Sequence, residues 1–400
     1  MSLIDELASP ASWERFCEYK SSLSCTKRFI KVLRSFIDEG RYADVCRNIN
    51  SGVPFPIPRK SVISKMSSAK KRTVYTYPHD ENIVLKLMTH LLLRRYDHLF
   101  CPNLYSFRPG RTVKDALRYL TGLEGVDRMY SYKVDISNYF NSIPVAELIP
   151  ELEHVMSDDP VLSGFLRDLL EEPRVIDGDT VITENKGIMA GTPQASFFAN
   201  LYLRELDRYF YEHGIPYARY SDDILILGRS EDEVRRHALY VREYLASRGL
   251  TVNPDKESYS TPGEGWVFLG FCYRAGVIDI APASVLKIKA KMRRKMRALM
   301  RWTARKGELP VRGASAFIRI FNSKLFEHSA DEMSDNELTW SKWYFPVINT
   351  DRSLKVIDHY AQDCVRYLVS GTHGKGRFRV SYEDMKALGL RSLVGEYYSS

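Results

Sequence analysis

The segment ARYSDDILILG, residues 218 to 228, decides how the rest of the chain is read. Apolar runs flank two adjacent acids, which is the pattern of strand, tight turn and strand with Asp222 and Asp223 at the tip. Acids are common in solvated turns, so the pair alone says little. A third acid, Asp135, ends the run RMYSYKVDIS, which alternates like a strand and then gives way to a loop. Three carboxylates at neighbouring strand ends would concentrate negative charge that only cations neutralise. Oxygen-only ligands of this kind suit magnesium, which keeps several waters and shares its shell with substrate phosphates. Two such ions can activate an attacking hydroxyl and stabilise a leaving pyrophosphate.

Around these acids the chain predicts a mixture of helices and short strands. Residues 1 to 50 read as helices, with Trp13, Phe16 and Tyr19, then Phe29, Val32, Leu33, Phe36 and Ile37, at spacings that make an apolar face. VPFPIP at 53 to 58 cannot be regular helix, because each proline fixes φ and restricts its predecessor. Residues 81 to 99 and 111 to 120 are amphipathic helices, as is VAELIPELEHV after Asp135. RVIDGDTVIT reads as a hairpin, ASFFANLYLRELDRYF as one helix, EDEVRRHALYVREYLASRG as another, and WVFLGFCYR as a strand. Beyond it IKAKMRRKMRALMRW is a basic helix, its apolar positions Ile288, Met292, Met296 and Leu299 separating Lys287, Lys289, Lys291, Arg293, Arg294, Lys295, Arg297 and Arg301. The expected division is a helical extension over 1–58, a catalytic domain over 59–275 and a helical region over 276–400.

Bulk properties bound the function. The 400 residues are 44% hydrophobic and 12% aromatic, enough for a sizeable core and too apolar for a disordered chain. A net charge of +8 favours a polyanionic partner. The six cysteines show no CxxC spacing and no Cys/His cluster, against a disulfide framework or zinc site. No apolar stretch approaches the length of a membrane span, and the acidic N-terminus lacks a signal-peptide core, so no membrane partner and a reducing cytoplasm are expected.

The order of five segments carries more than any of them alone: KVDISNYFNSI at 133, GTPQASFFANLYL at 191, RYSDDILIL at 219, GLTVNPDKE at 249 and FLGF at 268. In this order they resemble the motifs of bacterial reverse transcriptases, particularly the group II intron and retron lineage, over about residues 60 to 275. The resemblance implies an α+β right-hand polymerase with fingers, an antiparallel palm sheet and a thumb. It implies RNA-directed DNA synthesis with two Mg²⁺ ions held by Asp135, Asp222 and Asp223, YSDD standing for the family's YxDD. Ile136, next to Asp135, is carried over to both the metal and the nucleotide sites.

The same resemblance assigns the substrate contacts. Phe140 would lie under the incoming sugar and clash with a ribose 2′-hydroxyl, selecting dNTPs, while Tyr139 packs. Gln194 would face the nucleotide, although Ala195 stands where many relatives have Gly. In the fingers, KMSSAKKRTVY supplies Arg72 and then Lys65 for the triphosphate. In SFRPGRT, Arg108 and Arg111 match template-supporting positions, Arg108 in a structural or template-contacting role. Lys256 would protonate the pyrophosphate or pair with an acid. Gly270 in FLGF would allow close approach at the primer grip, and Arg293 and Arg294 on the basic helix would meet phosphates.

The tail HGKGRFRVSYEDMKALGLRSLVGEYY adds bases and aromatics suited to a structured noncoding RNA. With no Cys/His-rich nuclease tail or RNase H constellation after residue 280, the size resembles phage-defence reverse transcriptases of the second type, which copy a neighbouring noncoding RNA into cDNA. The alternatives are a non-catalytic or maturase-like RNA-binding protein and a template-independent nucleotidyltransferase on the same palm. Oligomeric state is not legible.

Overall fold

In a computed structural model the described residues are 2–23, 25–64, 71–327 and 339–400. Lys65 lies outside them. Two compact units emerge, Met1–Leu23 with Ile30–Leu269, and Ser24–Phe29 with Gly270–Ser400.

The first unit is built on two sheets. Strands β1 (Arg59–Ser64), β2 (Lys71–Thr76), β4 (Arg174–Asp177) and β5 (Thr180–Thr183) form one, in the order β2-β1-β4-β5, with β1 and β4 parallel. The other takes β3 (Tyr130–Asp135), β6 (Tyr217–Tyr220), β7 (Asp223–Gly228) and β8 (Ser258–Ser260) in the order β6-β7-β3-β8, with antiparallel pairing throughout. Its central strand β7 is a run of Ile and Leu buried on both faces, and β3 beside it buries Ser131, Tyr132, Val134 and Asp135. The β3–β7 register sets Asp135 directly opposite Asp223. A one-residue slip would turn one of them to the other face, so the buried run Ile224–Leu227 fixes where the acids point.

Helices cover these sheets as the periodicities predict. His79–Arg95 buries Ile83, Val84, Leu85, Leu87, Met88 and Leu92, and Glu231–Ser247 starts at a Ser230 side-chain cap on the Glu233 amide. At the N-terminus Trp13, Phe16, Phe29, Leu33, Phe36 and Ile37 are buried, whereas Tyr19 and Val32 are half-buried. Buried Asp159 accepts from Ser2 Oγ (2.7 Å) and the Leu3 amide (2.7 Å), anchoring the first helix to this unit.

Two elements differ from expectation. The single helix expected after Gln194 is two, Ala195–Tyr202 and Arg204–Glu212. The carbonyls of Ala199 and Asn200, which would accept the next two helical N–H groups, accept instead from Tyr139 Oη (2.6 Å) and Arg219 Nη2 (3.3 Å). WVFLGFCYR is likewise two strands, β9 (Trp266–Phe268) and β10 (Phe271–Arg274), because Leu269 and Gly270 both take positive φ between them.

In the second unit β10 and β11 (Val277–Ile280) form an antiparallel hairpin. Helices Pro282–Lys306, Pro310–Phe326 and Arg352–Ser370 pack together, and the first of them buries Ile288, Met292, Met296 and Leu299 as its spacing predicts. All six cysteines are free thiols. No described helix is long and apolar enough to cross a membrane.

Candidate active site

The three acids meet at the ends of β3 and β7. One carboxylate oxygen from each of Asp135, Asp222 and Asp223 lies within 4.8 Å of the others. Asp135 is 4% exposed, and the other two are half-buried. The Ile136 amide donates to the Asp222 carbonyl (3.1 Å), tying the β3 end to the turn between β6 and β7. Ile136 has a buried apolar side chain, so only its backbone carbonyl could serve as an oxygen ligand.

Burial and mutual repulsion raise the pKa of two of the acids. Asp222 is pushed up by desolvation and then by the Asp135 charge, against which Lys256 and Arg72 act. Asp223 rises to about 6, again through desolvation first, with Lys133 opposing and Asp222 and Asp135 adding. Carboxylates that resist ionising side by side form a site in which a cation would be favoured, and the donors are all hard oxygens. The residues therefore fit a divalent metal ion.

Neighbouring cations already partly fill that role. Lys256 Nζ forms an ion pair with Asp135 Oδ2, and Asn253 Nδ2 lies 3.4 Å from the other oxygen. Lys133 Nζ is 3.7 Å from Asp223 Oδ1. Neither Asn253 nor Lys133 is among the residues expected from sequence. Lys133 was visible in the alternation of β3, which puts residue 133 on the same face as Asp135. Arg72 sits exposed on β2, close enough for its charge to act on Asp222.

An aromatic shelf borders the acids. Phe140, half-buried in a single helical turn, meets Phe107 edge-on at 6.4 Å, and Phe107 meets Tyr220 at 6.5 Å. Tyr139 is buried, its ring edge-on to Phe140 at 5.7 Å and its hydroxyl on the Ala199 carbonyl. Phe140 is held through its backbone by the loop at 187–191. Gly187 has φ +54, and a Cβ there would meet the Phe140 carbonyl at 2.5 Å, so only glycine allows the Ile188 amide to donate to that carbonyl (2.9 Å). Asn141 extends the tie, accepting from the Ala190 amide (2.9 Å) and donating to the Thr73 carbonyl (3.2 Å).

Gln194 is fully buried, and neither its side-chain oxygen nor its nitrogen has a hydrogen-bond partner among the described residues. Buried amides without partners are costly, which marks this one as poised for a further donor and acceptor. Arg108 is the opposite case. Its guanidinium donates to both oxygens of Asp97 (2.7 and 3.0 Å) and to the carbonyls of Asp97, Cys101 and Leu104, leaving no hydrogen for a nucleic acid. Arg111 instead lies over the Tyr105 ring at 5.9 Å and lines a cavity of 360 Å³. In the second unit, a Cβ at Gly270 would come within 2.9 Å of Tyr344 Oη, and Arg293 and Arg294 are exposed.

Beneath the acids lies a buried polar network that no sequence motif announces. Fully buried Arg219 donates to both oxygens of Asp207 (2.7 and 2.5 Å) and to the Ser221 carbonyl (3.3 Å). Ser106 Oγ accepts from the Ser221 amide (2.8 Å) and bonds Asn200 Oδ1 (3.2 Å). Ser221 has φ +60, so both its backbone groups are clamped in a left-handed conformation.

Residues 63–273 match the reverse transcriptase (RNA-dependent DNA polymerase) family, and the chain belongs to it. The two sheets and the acid cluster are its α+β right-hand polymerase fold. Among curated proteins it is similar to an uncharacterized 91 kDa protein in the cob intron of Schizosaccharomyces pombe, 31% identical over 158 residues, which are 38% of this chain and 18% of that one. It is also similar to the group II intron-encoded protein LtrA of Lactococcus lactis subsp. cremoris, 23% identical over 210 residues, 51% of this chain and 34% of LtrA. The chain thus spans about a third or less of the length of these relatives. A solved structure of apo telomerase from Candida tropicalis, truncated from its C-terminal domain, aligns with a TM-score of 0.46 and 10% identity over 57% of this chain and 55% of that one.

Proposed function

We propose that this protein is an RNA-directed DNA polymerase that copies a structured noncoding RNA into cDNA in antiviral defence. The observation that carries the polymerase reading is the convergence of three carboxylates within 4.8 Å at the ends of two paired strands, inside a chain of the reverse transcriptase family. Two Mg²⁺ ions, held by Asp135, Asp222, Asp223 and the Ile136 carbonyl, would supply charge neutralisation at the attacking and leaving oxygens. Arg72 contributes positive charge for the triphosphate, and Phe140 with Phe107 forms the wall against which the sugar lies. Gln194 offers its unpartnered amide to the nucleotide. Lys256, which pairs with Asp135, would shift toward the pyrophosphate and donate a proton as it leaves. Arg111, Gly270, Arg293 and Arg294 are positions for template and primer. Lys65, from the same sequence stretch KMSSAKKRTVY as Arg72, would add to that charge.

The noncoding RNA template and the defence role are supported by the basic, aromatic-bearing segment HGKGRFRVSYEDMKALGLRSLVGEYY. A non-catalytic RNA-binding protein is the competing reading, and the intact acid triad weighs against it. On a primed RNA template, Mg²⁺-dependent dNTP incorporation is expected, and Asp222→Asn should abolish it with the melting temperature retained. Undiminished synthesis by that variant would remove the assignment. Sequencing nucleic acids that copurify with the protein tests the noncoding RNA: a single enriched structured RNA with matching cDNA supports it, and random cellular RNA refutes it.

A further inference from the structure

In the second unit, helices Pro282–Lys306 and Arg352–Ser370 enclose a groove of 520 Å³, a volume typical of small-molecule sites. Its floor holds buried Met296 and Cys364. Along one wall run Arg293, Arg297 and Arg301, exposed and one turn apart, which is about 6 Å of axial rise between neighbours. Arg297 and Arg301 have no ion-pair or hydrogen-bond partner among the described residues, and Arg293 Nε donates only to Tyr360 Oη (3.1 Å). The other wall carries aromatic rings. Tyr367 and His373 stack with centroids 3.7 Å apart and planes at 13°, and His373 is exposed. A single acid, Asp363, lines the groove, and it pairs with Arg366 at 3.6 Å.

A row of guanidinium groups with no carboxylate partner among the described residues, facing aromatic rings across a narrow cleft, suits phosphates on one side and a base on the other. A duplex would touch the arginine tips without filling the cleft. We propose that this groove binds an unpaired nucleotide of a single-stranded nucleic acid, its consecutive phosphates on Arg293, Arg297 and Arg301 and its base stacked on the Tyr367–His373 pair. The inference rests on the reading that the chain handles nucleic acid and is independent of catalysis, because the groove lies wholly within the second unit.

The test uses the full chain in EDTA without dNTPs, so that a catalytically dead protein still reports. The probes are a fluorescein-labelled 12-nucleotide RNA carrying 5-iodouridine, the same sequence as DNA, and a blunt RNA duplex, titrated across a salt series. Arg297→Gln with Arg301→Gln should weaken single-strand binding at least about tenfold and reduce the slope of log K against log salt by about 1.4, for two lost phosphate contacts. Tyr367→Ala should weaken it roughly 5- to 100-fold with the slope unchanged, as loss of one stacked base requires. Photo-crosslinks should map to Tyr367 or His373. Comparison of the RNA and DNA arms names which strand occupies the site, and either supports it. An unchanged slope with no crosslink to these residues would overturn the proposal, as would an equal loss of duplex binding.

Discussion

Ser106→Ala is the most informative single change, because it touches no acid and yet removes the hydrogen-bond acceptor that fixes the turn carrying Asp222. The Ser106 hydroxyl is fully buried, accepts the Ser221 amide at 2.8 Å and reaches Asn200 at 3.2 Å. Truncation strands a buried N–H, which costs about 1–3 kcal/mol. Ser221 simultaneously keeps its left-handed backbone, which for a non-glycine residue costs on the order of 1 kcal/mol and persists only under restraint. For a domain of this size each kcal/mol moves the melting temperature by about 2–4 °C, so a fall of roughly 2–12 °C is expected by calorimetry. Asp222 follows Ser221 directly, and a misplacement of about 1 Å at a reacting centre can cost roughly a hundredfold. Primer extension at saturating dNTP should therefore slow by at least about tenfold, with a smaller change in KM. Adding Ser221→Gly to Ser106→Ala should restore about 1 kcal/mol of stability, since glycine accepts positive φ, but should leave the rate low. Wild-type melting and wild-type extension by Ser106→Ala would refute the claim that this hydroxyl holds the turn.

Three further outcomes test other parts of the molecule. Phe140→Ala should lower the preference for dNTP over rNTP by roughly 10- to 100-fold if the ring is the steric gate, and an unchanged ratio in competition assays would take that role away. Asp207→Asn leaves the Arg219 guanidinium buried without its carboxylate and should cost about 3–5 kcal/mol in urea unfolding, whereas Asp207→Leu with Arg219→Met should recover most of it; no recovery would mean that the charges contribute more than satisfaction of one another. His90 packs on Phe16 and Tyr19 and accepts from Arg94, and burial, then Arg94 and Lys20, push its pKa from 6.5 down to about 3. The folded protein thus holds it neutral, so the unfolded chain binds the extra proton first and stability should fall as pH drops from about 6.5 toward 3. In His90→Phe that part of the acid sensitivity should vanish, and parallel curves of melting temperature against pH for the two proteins would contradict it.

Local pattern carried much of the architecture. Alternation in residues 130–135, the apolar run after the paired acids in 223–228, and helical periodicity in 79–95, 231–247 and 282–306 are properties of short segments, because a strand repeats every two residues and a helix every 3.6. The buried face of the basic helix, at Ile288, Met292, Met296 and Leu299, was legible for the same reason. The break at Leu203 was not, since it depends on Tyr139 and Arg219 taking two helical carbonyls from far along the chain. Arg108 shows the same limit: its motif position left a structural role and template contact both open, and only the fold reveals that Asp97 and three carbonyls take its donors.

By itself the sequence determined which residue types stand at the strand ends and in what order, and with them the family, because the acids at 135, 222 and 223 and their flanking motifs are fixed by position in the chain. Only the tertiary structure decided what those acids experience. Asp135 faces Asp223 through the pairing of β3 with β7, Lys256 and Lys133 partly neutralise them, and Ser106, Arg219 and Gly187 hold the turn and the Phe140 shelf beside them. Each of these partners lies distant in sequence from at least one group it holds, or acts across a strand pair. Charge, burial and hydrogen bonding depend on distance in space, which the order of residues does not contain.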